Sequence, residues 1–254
     1  MQLAIDPRYG ISGDIACAGL IGLGGDADKI TGAMEYAGGR IGTMKVTSRY
    51  YDGAVRLDIC LKKEGKHLHE SEAKAILENT FEHIPLETAY QTIAKNALAV
   101  LCDAERYVHG NDPRLHHMIH HHQHGGDTPT EAVLHEASDI VADVAGFAAG
   151  LQELKITDVV YLDYVNAGNG TITFSHGTLD VPAPATEHIL NSHDIPWQKS
   201  LEHYNEMATP TGVSLLAGCR AKRTTDVNGL EVIKESMAAG TIKGLPPVPF
   251  YLVE

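Results

Sequence analysis

The stretch MQLAIDPRYGISGDIACAGLIGL, residues 1–23, decides the expected fold because it joins a strand to a helix through a glycine-containing turn. Gln2 to Ile5 form a predicted apolar strand, and a helix is predicted over Ile15–Leu23. A short strand that turns directly into a helix is typical of α/β folds. We therefore expect this unit to form part of a sheet covered by helices.

The turn YGISGD, residues 9–14, is a candidate ligand-binding loop. Gly10 and Gly13 permit tight turns, Ser12 can cap the following helix, and Asp14 lies in its first turn. Unpaired N–H groups at a helix N-terminus suit a phosphate. The pattern is neither a Walker loop nor GxGxxG, so a plain strand–turn–helix stays an alternative. Asp6 ends the strand, where α/β folds tend to bind ligands.

The remaining patterns predict a single α/β domain over residues 1–254, with a central mixed sheet, flanking helices and a long His-rich loop. Asp52-Gly53 between two alternating segments predicts a hairpin. Helices are predicted over residues 26–39, 69–80, 86–107 and 130–151, and at PAPATEHILN and TPTGVSLLAGC. Further strands are predicted at DVVYLDYVNAG, GTITFSHGTLDV and PVPFYLVE.

Composition indicates a soluble cytoplasmic protein. The chain has 254 residues, 43% of them hydrophobic, and a net charge of −13 with histidines neutral, which disfavours nucleic-acid binding. No apolar run reaches the ~18 residues of a membrane span, and the start shows no basic n-region followed by an apolar h-region, so we expect no signal peptide. No pair of the four cysteines has CxxC spacing, so we expect buried free thiols in a reducing cytosol. A homo-oligomer is possible.

The segment HHMIHHHQHGG, residues 116–126, places six histidines in nine positions: His116, His117, His120, His121, His122 and His124. Neutral imidazole binds Ni²⁺, Cu²⁺ and Zn²⁺, so the segment predicts metal capture or storage. The alternative is an inert polar run. Because residues 109–129 lack apolar periodicity, we expect a mobile loop there unless a metal is bound.

The segment LHEASDIVADVAG, residues 134–146, is the second candidate metal site. His135, Asp139 and Asp143 recur every four residues, which places them on one face of a helix. Glu136 is adjacent, and Glu131 would lie one turn earlier. Imidazole with carboxylates suits Ni²⁺, Zn²⁺, Mn²⁺ or Mg²⁺. An exposed polar stripe on an amphipathic helix is the alternative.

Two later turns add candidate substrate-binding residues. His176 follows a strand in SHGTLDVPAPAT, although a lone histidine in a turn is often structural. Thr209, Thr211 and Gly212 of EMATPTG form a predicted helix N-terminus that could hold a phosphate or carboxylate. The alternative is an ordinary N-cap by Thr209 or Thr211.

The order of these motifs resembles the nickel insertion protein family called LarC. The resemblance rests on GISGD, a central His-rich loop, HE followed by two aspartates, VPAPAT and TPTG, and runs from about residue 3 to the C-terminus. The helix motif is two residues shorter than HEVGAVDSIVDIVG, the usual family pattern. The acids of that pattern are matched here to Asp139 and Asp143.

The resemblance implies a nickel insertase, a chelatase-type lyase of cofactor biosynthesis. The family inserts nickel into pyridinium-3,5-bisthiocarboxylic acid mononucleotide, making one Ni–C and two Ni–S bonds in a CTP-dependent reaction. The product is the nickel-pincer nucleotide of lactate racemase and related enzymes. The His-rich loop would collect Ni²⁺, and residues 10–14 or 209–212 would hold the phosphate. Because forming Ni–C releases a proton, Asp14, His135 or Glu136 would be the base.

The resemblance also implies a partner. Full-length members continue into a C-terminal domain that binds CTP, whereas this chain stops at PVPFYLVE. We therefore expect that domain to be absent here, and CTP with Mg²⁺ or Mn²⁺ to act through a separately encoded LarC domain. The alternative function is a non-enzymatic nickel chaperone or storage protein. A divalent-metal phosphohydrolase is disfavoured because no dense Asp/His cluster of that kind is present.

Overall fold

The predicted N-terminal strand lies inside a seven-stranded mixed sheet. The structure is a computed structural model that describes residues 1–63, 68–111, 131–134, 137–174, 177–226, 229 and 231–254. Its helices are α1 (Gly13–Gly22), α2 (Ala27–Gly38), α3 (Glu70–His83), α4 (Thr88–Asn111), α5 (Ala137–Glu153), α6 (Pro184–Ser192) and α7 (Pro210–Gly218). Its strands are β1 (Gln2–Ile5), β2 (Gly42–Tyr51), β3 (Ala54–Lys63), β4 (Leu68–His69), β5 (Val133–Leu134), β6 (Asp158–Leu162), β7 (Val165–Gly168), β8 (Thr171–Phe174), β9 (Gly177–Asp180), β10 (Trp197–Lys199), β11 (Lys222–Thr224), β12 (Val232–Ala238) and β13 (Val248–Val253).

The strand order of the large sheet is β11-β6-β1-β13-β12-β3-β2. Strand β1 pairs in parallel with β6 and antiparallel with β13. Strands β2 and β3 form the predicted hairpin, in which Asp52 (φ 51°) and Gly53 (φ 81°) both have positive φ. Such a turn matches the twist of paired strands. The predicted α/β class with a mixed central sheet is confirmed.

The helices pack on one face of this sheet. Leu3 and Ile5 of β1 join the main core with residues of all seven helices, whereas Ala4 points the other way. Ala4 forms a small cluster with Val160 and Leu162 on the opposite face. Helix α1 contacts strands β3, β12 and β13 as well as α5 and α7. The N-terminal helix is therefore central to the helical layer.

The starts of α1 and α7 lie side by side through backbone hydrogen bonds. Ile11 N donates to Met207 O (2.8 Å), and Thr209 N donates to Ile11 O (3.0 Å). The approach requires glycine: a Cβ on Gly212 would lie 2.4 Å from Ile11 O. Gly10 has φ +97°, and a Cβ there would lie 2.4 Å from Met207 O. These contacts bring two predicted loops, distant in sequence, to one place.

Several predicted element boundaries are wrong. Helix α5 begins at Ala137 rather than at residue 130, because Val133–Leu134 instead pair with Leu68–His69 as strand β5. Glu131 is consequently not one turn before His135 on a helix; it accepts a hydrogen bond from Ser71 N. Helix α4 continues to Asn111, so residues 109–111 are helical rather than loop.

Other differences concern the thiols and the edges of the fold. Cys17 and Cys102 are buried as expected, but Cys60 is exposed because it lies on the outer face of β3, and Cys219 is partly exposed. Strands β10, β11 and β12 have no counterpart in the sequence prediction.

Among the residues that the structure describes, no helix has the length and apolarity needed to cross a bilayer.

Candidate functional site

A cavity of about 680 Å³ lies where four helices begin. Its lining includes residues from the first turns of α1, α5, α6 and α7, together with residues of α4, β3 and β8. A volume of this size suits a small-molecule ligand. The residues around the cavity are Ser12, Gly13, Asp14, Ile59, Leu61, Glu105, Val108, Asp139, Ile140, Asp143, Ile172, Thr173, Ala183, Pro184, Ala185, Glu206, Thr209, Pro210, Thr211 and Thr241.

The four helix N-termini favour anionic groups in this cavity. The first N–H groups of a helix have no intrahelical partner, and the helix dipole places a partial positive charge there. Helices α6 and α7 both begin with a proline, which has no N–H to leave unpaired. Thr209 is the N-cap of α7, and its hydroxyl accepts a hydrogen bond from Gly212 N (3.2 Å). The first turn of α7 carries no acidic residue.

The ionisable side chains of the cavity are all acidic. Five carboxyl groups line it: Asp14, Glu105, Asp139, Asp143 and Glu206. Among the described lining residues there is no lysine, arginine or histidine. Carboxylates are hard oxygen ligands that attract divalent cations. The cavity therefore combines cation-binding side chains with anion-binding backbone.

Asp143 is the most deeply buried of these acids, at 6% exposure. Its carboxyl group lies directly against α1: a Cβ on Gly13 would be 2.2 Å from Asp143 Oδ2. Asp143 Oδ1 is buried without a hydrogen-bond partner. Burial, and then the charges of Asp14 and Asp139, raise the pKa of Asp143 well above its ordinary value. Burial therefore disfavours the charged form of this carboxyl unless a cation enters the cavity.

The thiol beneath Asp143 has a structural role. Cys17 Sγ donates a hydrogen bond to the backbone oxygen of Asp143 (3.4 Å) and thereby joins α1 to α5. Burial raises the pKa of Cys17 well above its ordinary value, and the charges of Asp143 and Asp14 raise it further. A thiol that stays protonated is a poor nucleophile and a poor metal ligand.

Ser12 does not cap α1 in the way expected from the sequence. It occupies the N-cap position, but its hydroxyl makes no bond to the helix backbone and instead donates to Asp14 Oδ1. The carboxylate is the stronger acceptor because it is charged. Ser12 thus orients the Asp14 side chain at the cavity.

Glu206 is the cavity residue that the sequence interpretation missed. It lies in EMATPTG, three residues before the N-cap Thr209, and its Oε1 is buried without a hydrogen-bond partner. Burial raises the pKa of Glu206 to about 7. The available signal was one acid within a short segment already singled out for its helix start. Glu105, on α4, gave no sequence signal beyond an ordinary helical acid.

The structure brings together many, but not all, of the predicted site residues. The following predicted residues line the cavity: Ser12, Gly13, Asp14, Asp139, Asp143, Thr209 and Thr211. Gly10 is not among the lining residues and packs against Met207. Asp6 lies outside the cavity in an ion pair with Arg8 (2.7 Å). The remaining candidates fall outside the described residues: His116, His117, His120, His121, His122, His124, His135, Glu136 and His176.

The predicted stripe on α5 divides into two environments. Asp139 is exposed and Asp143 is buried, so an exposed polar stripe does not describe this helix. Within the described part of the chain, no three His, Cys, Asp or Glu side chains are grouped closely enough to hold a metal ion. Any cation bound by these acids must therefore take further ligands from elsewhere.

Comparison with known proteins identifies the family. The model of a family described as "Nickel insertion protein" matches residues 3–249. A relative from Methanothrix thermoacetophila, provisionally described as a nickel insertion protein, is 31% identical over 224 residues, covering 85% of this chain and 49% of the relative. A second, from Akkermansia muciniphila, is called pyridinium-3,5-bisthiocarboxylic acid mononucleotide nickel insertion protein. It is 29% identical over 252 residues, which cover 96% of this chain and 57% of the length of the Akkermansia protein.

A third relative, from Thermotoga sp., has the same description as the Akkermansia protein and is 29% identical over 252 residues, covering 94% of this chain and 58% of its own. The chain thus spans about half the length of the curated relatives that it matches. No solved structure matches it significantly. With a family match over nearly its whole length, the chain belongs to the nickel insertion protein family.

Proposed function

We propose that this chain inserts nickel into pyridinium-3,5-bisthiocarboxylic acid mononucleotide, forming the nickel-pincer nucleotide with one Ni–C and two Ni–S bonds. The observation that carries this proposal is that four helix N-termini and five carboxyl groups line one cavity. Its volume of about 680 Å³ suits one mononucleotide. The substrate has both kinds of group that this lining favours: an anionic phosphate and a cationic ring, with nickel as the second substrate.

The phosphate is best placed at the start of α7. The first turn of α1 contains Asp14 and contacts Asp143, whereas the first turn of α7 contains Thr209 and Thr211 but no acid. A phosphate is stabilised by the positive end of a helix dipole and destabilised by neighbouring carboxylates. Of the two phosphate loops that the sequence left open, residues 209–212 therefore have the stronger physical support.

Nickel is best placed beside the acids of α1 and α5, where Asp14 and Asp143 lie in the same neighbourhood. These two acids, with Asp139, are close enough to raise the pKa of Asp143, yet they do not form a complete metal site. The two thiocarboxylate groups of the nucleotide would complete the coordination with sulfur, which nickel accepts readily. Bound nickel would also neutralise the acids that otherwise repel an anionic nucleotide.

The remaining parts of the proposal concern delivery of nickel and of CTP. The histidines of residues 116–124 would collect Ni²⁺ and supply it to the cavity, with His135 as a further ligand. We propose one nickel insertion domain over residues 1–254 that works with a CTP-binding domain using Mg²⁺ or Mn²⁺. That domain could lie on the same polypeptide or on another, since the relatives are about twice as long as this chain.

The test is to mix the purified chain with the nucleotide and Ni²⁺, with and without CTP–Mg²⁺ and the CTP-binding half of a relative. Product is followed by absorbance and by mass spectrometry for the nickel-containing nucleotide. We expect product in the complete mixture and little from the chain alone. Absence of product in every mixture would contradict the proposal.

A deletion of residues 116–124 separates insertion from storage. An insertase without these histidines should still make product when free Ni²⁺ is high, because the cavity remains intact. A storage protein should instead lose nearly all of its bound nickel and show no product. The measurement is bound nickel per chain together with the product yield across a series of Ni²⁺ concentrations.

A further inference from the structure

The cavity holds two carboxyl groups, each with a buried oxygen, in different electrostatic surroundings. The pKa of Asp143 is raised by burial and by the neighbouring charges of Asp14 and Asp139. The pKa of Glu206 is raised to about 7 by burial alone. No neighbouring charge contributes to the raised pKa of Glu206, although it lines the same cavity as Asp143.

The backbone on both sides of Glu206 is fixed by hydrogen bonds. Asn169 N donates to Asn205 O (3.1 Å), and Met207 N donates to Ala167 O (3.1 Å). Met207 O in turn accepts from Ile11 N (2.8 Å), which ties the segment to the start of α1. The segment is held between β7 and the turn before α1, so the Glu206 side chain starts from a fixed point at the cavity.

The Glu206 carboxyl has a free oxygen in a water-poor place. Its Oε1 is buried and has no hydrogen-bond partner, while the residue as a whole is only partly buried and lines the cavity. A buried carboxyl oxygen without a partner costs free energy, and a group with a perturbed pKa in a cleft is a candidate for a functional role. No ion pair neutralises this group among the described residues.

We propose that Glu206 is the catalytic base that accepts the proton released when nickel replaces a hydrogen on the pyridinium ring. This inference rests on the proposed function. In the step, the C–H bond breaks, its electron pair forms the C–Ni bond, and the proton passes to a Glu206 carboxylate oxygen. Nickel stays divalent, so no oxidant or reductant is needed.

The titration of Glu206 suits this task. A base is most effective when its pKa lies near the working pH, and about 7 meets that condition. Above that value Glu206 is a carboxylate and can accept a proton; below it the group is already protonated. The titratable groups that share the cavity are Asp14 on α1, Glu105 on α4, and Asp139 and Asp143 on α5.

The experiment compares nickel insertion by the wild type, Glu206→Gln and Glu206→Asp in the complete mixture across pH 5 to 9. The wild-type rate should rise with pH and level off above about 7. Glu206→Gln should lower the rate by about 10²- to 10⁴-fold, the usual contribution of a general base, and should lose this pH dependence. Glu206→Asp keeps a carboxylate, so it should restore part of the rate and an inflection.

Matched controls keep the result interpretable. Glu202→Gln removes the same charge from an exposed position four residues earlier and should leave rate and pH profile unchanged. Nickel affinity and nucleotide affinity, measured by titration calorimetry, should be retained in Glu206→Gln. Circular dichroism checks folding; if Glu206→Gln does not fold, Glu206→Asp decides the question through its rate and inflection.

Two failures are distinguishable. If the wild type makes no product in any mixture, the proposed function fails, and the role of Glu206 fails with it. If the wild type makes product and Glu206→Gln matches it in rate and pH profile, only the role of Glu206 is overturned. A Glu206→Gln variant whose whole deficit is weaker substrate binding, with the wild-type pH profile, would also overturn it.

Discussion

The two ends of helix α5 both line cavities, but their polar side chains differ in whether they have hydrogen-bond partners. At the C-terminal end, Lys29 Nζ donates to Glu153 (3.0 and 2.9 Å), and Gln152 bonds the backbone of both Glu87 and Pro85. Lys29, Gln152 and Glu153 line a cavity of about 420 Å³. At the N-terminal end, Asp143 lies in the larger cavity with an oxygen that has no partner.

The paired groups at the C-terminal end of α5 stabilise the fold, whereas the unpaired acid at the N-terminal end is suited to binding a ligand. Hydrogen-bonded and ion-paired groups, such as Glu153 and Gln152, need no ligand to satisfy them. A buried carboxyl without a partner is costly in its charged form and destabilises the fold unless a proton or a cation compensates it. The cavity at the N-terminal end is therefore the place where a cationic ligand would lower the free energy of the folded chain.

The largest expected effect comes from Asp143→Asn at the unpaired end. Because the folded chain raises the pKa of Asp143 above its ordinary 3.8, the native state holds more protons than the unfolded state once the pH exceeds that value. The unfolding free energy of the wild type should then fall as pH rises through this window. Since a buried unpaired ion costs several kcal/mol, the variant should be more stable than wild type at pH 8 and similar at pH 4.

Urea unfolding of both proteins from pH 4 to pH 8 measures this difference. Saturating Ni²⁺ should stabilise the wild type at pH 8 more than the variant, because only the wild type retains the carboxylate. Asp28→Asn on the exposed start of α2 is the matched control: it keeps Asp143, so its unfolding free energy should follow the wild-type pH trend. Parallel stability curves for wild type and Asp143→Asn would contradict the assignment of a buried neutral carboxyl.

Gly13→Ala should have the next largest effect. Its Cβ would lie 2.2 Å from Asp143 Oδ2, so the carboxyl or α1 must move, and overpacking of this kind costs about 1–3 kcal/mol. The matched control lies at the other cavity: a Cβ on Gly32 of α2 meets nothing within 4 Å. Gly32→Ala should stabilise the helix by about 0.5–1 kcal/mol. Thermal unfolding of the two variants should give shifts of opposite sign.

Glu153→Gln at the paired end should have the smallest effect. It removes the ion pair with Lys29, whose side chain is 60% exposed, and such pairs are screened by solvent and salt. We expect a small drop in melting temperature at low ionic strength that disappears in high salt, with unchanged nickel insertion. A large loss of activity would show that the second cavity takes part in function.

Sequence patterns predicted the parts of the fold that depend on near neighbours. The first strand and its glycine turn, the Asp52-Gly53 hairpin and the Thr209 cap each follow from residues within a few positions of one another. The candidate residues in GISGD and TPTG were also found because helix starts have a local signature. Both segments line the same cavity.

Patterns failed where a distant segment decides the outcome. Val133–Leu134 were assigned to a helix, but strand β4, more than sixty residues earlier, pairs with them. Helical periodicity alone does not show whether Asp143 faces solvent or the core. In the structure it lies against Gly13 and is buried. Sequence patterns do not identify Glu206 as a site residue, because only the burial of its oxygen distinguishes it from an ordinary surface glutamate.

The sequence by itself determined the α/β class, the helix starts near GISGD and TPTG, and the order of motifs that places this chain in the nickel insertion protein family. Those features are local, because turns, caps and periodicity depend on backbone preferences of adjacent residues. Only the tertiary structure decided which helix starts meet and which acids have a raised pKa. Those properties depend on burial and on charges from distant segments, so no local pattern encodes them.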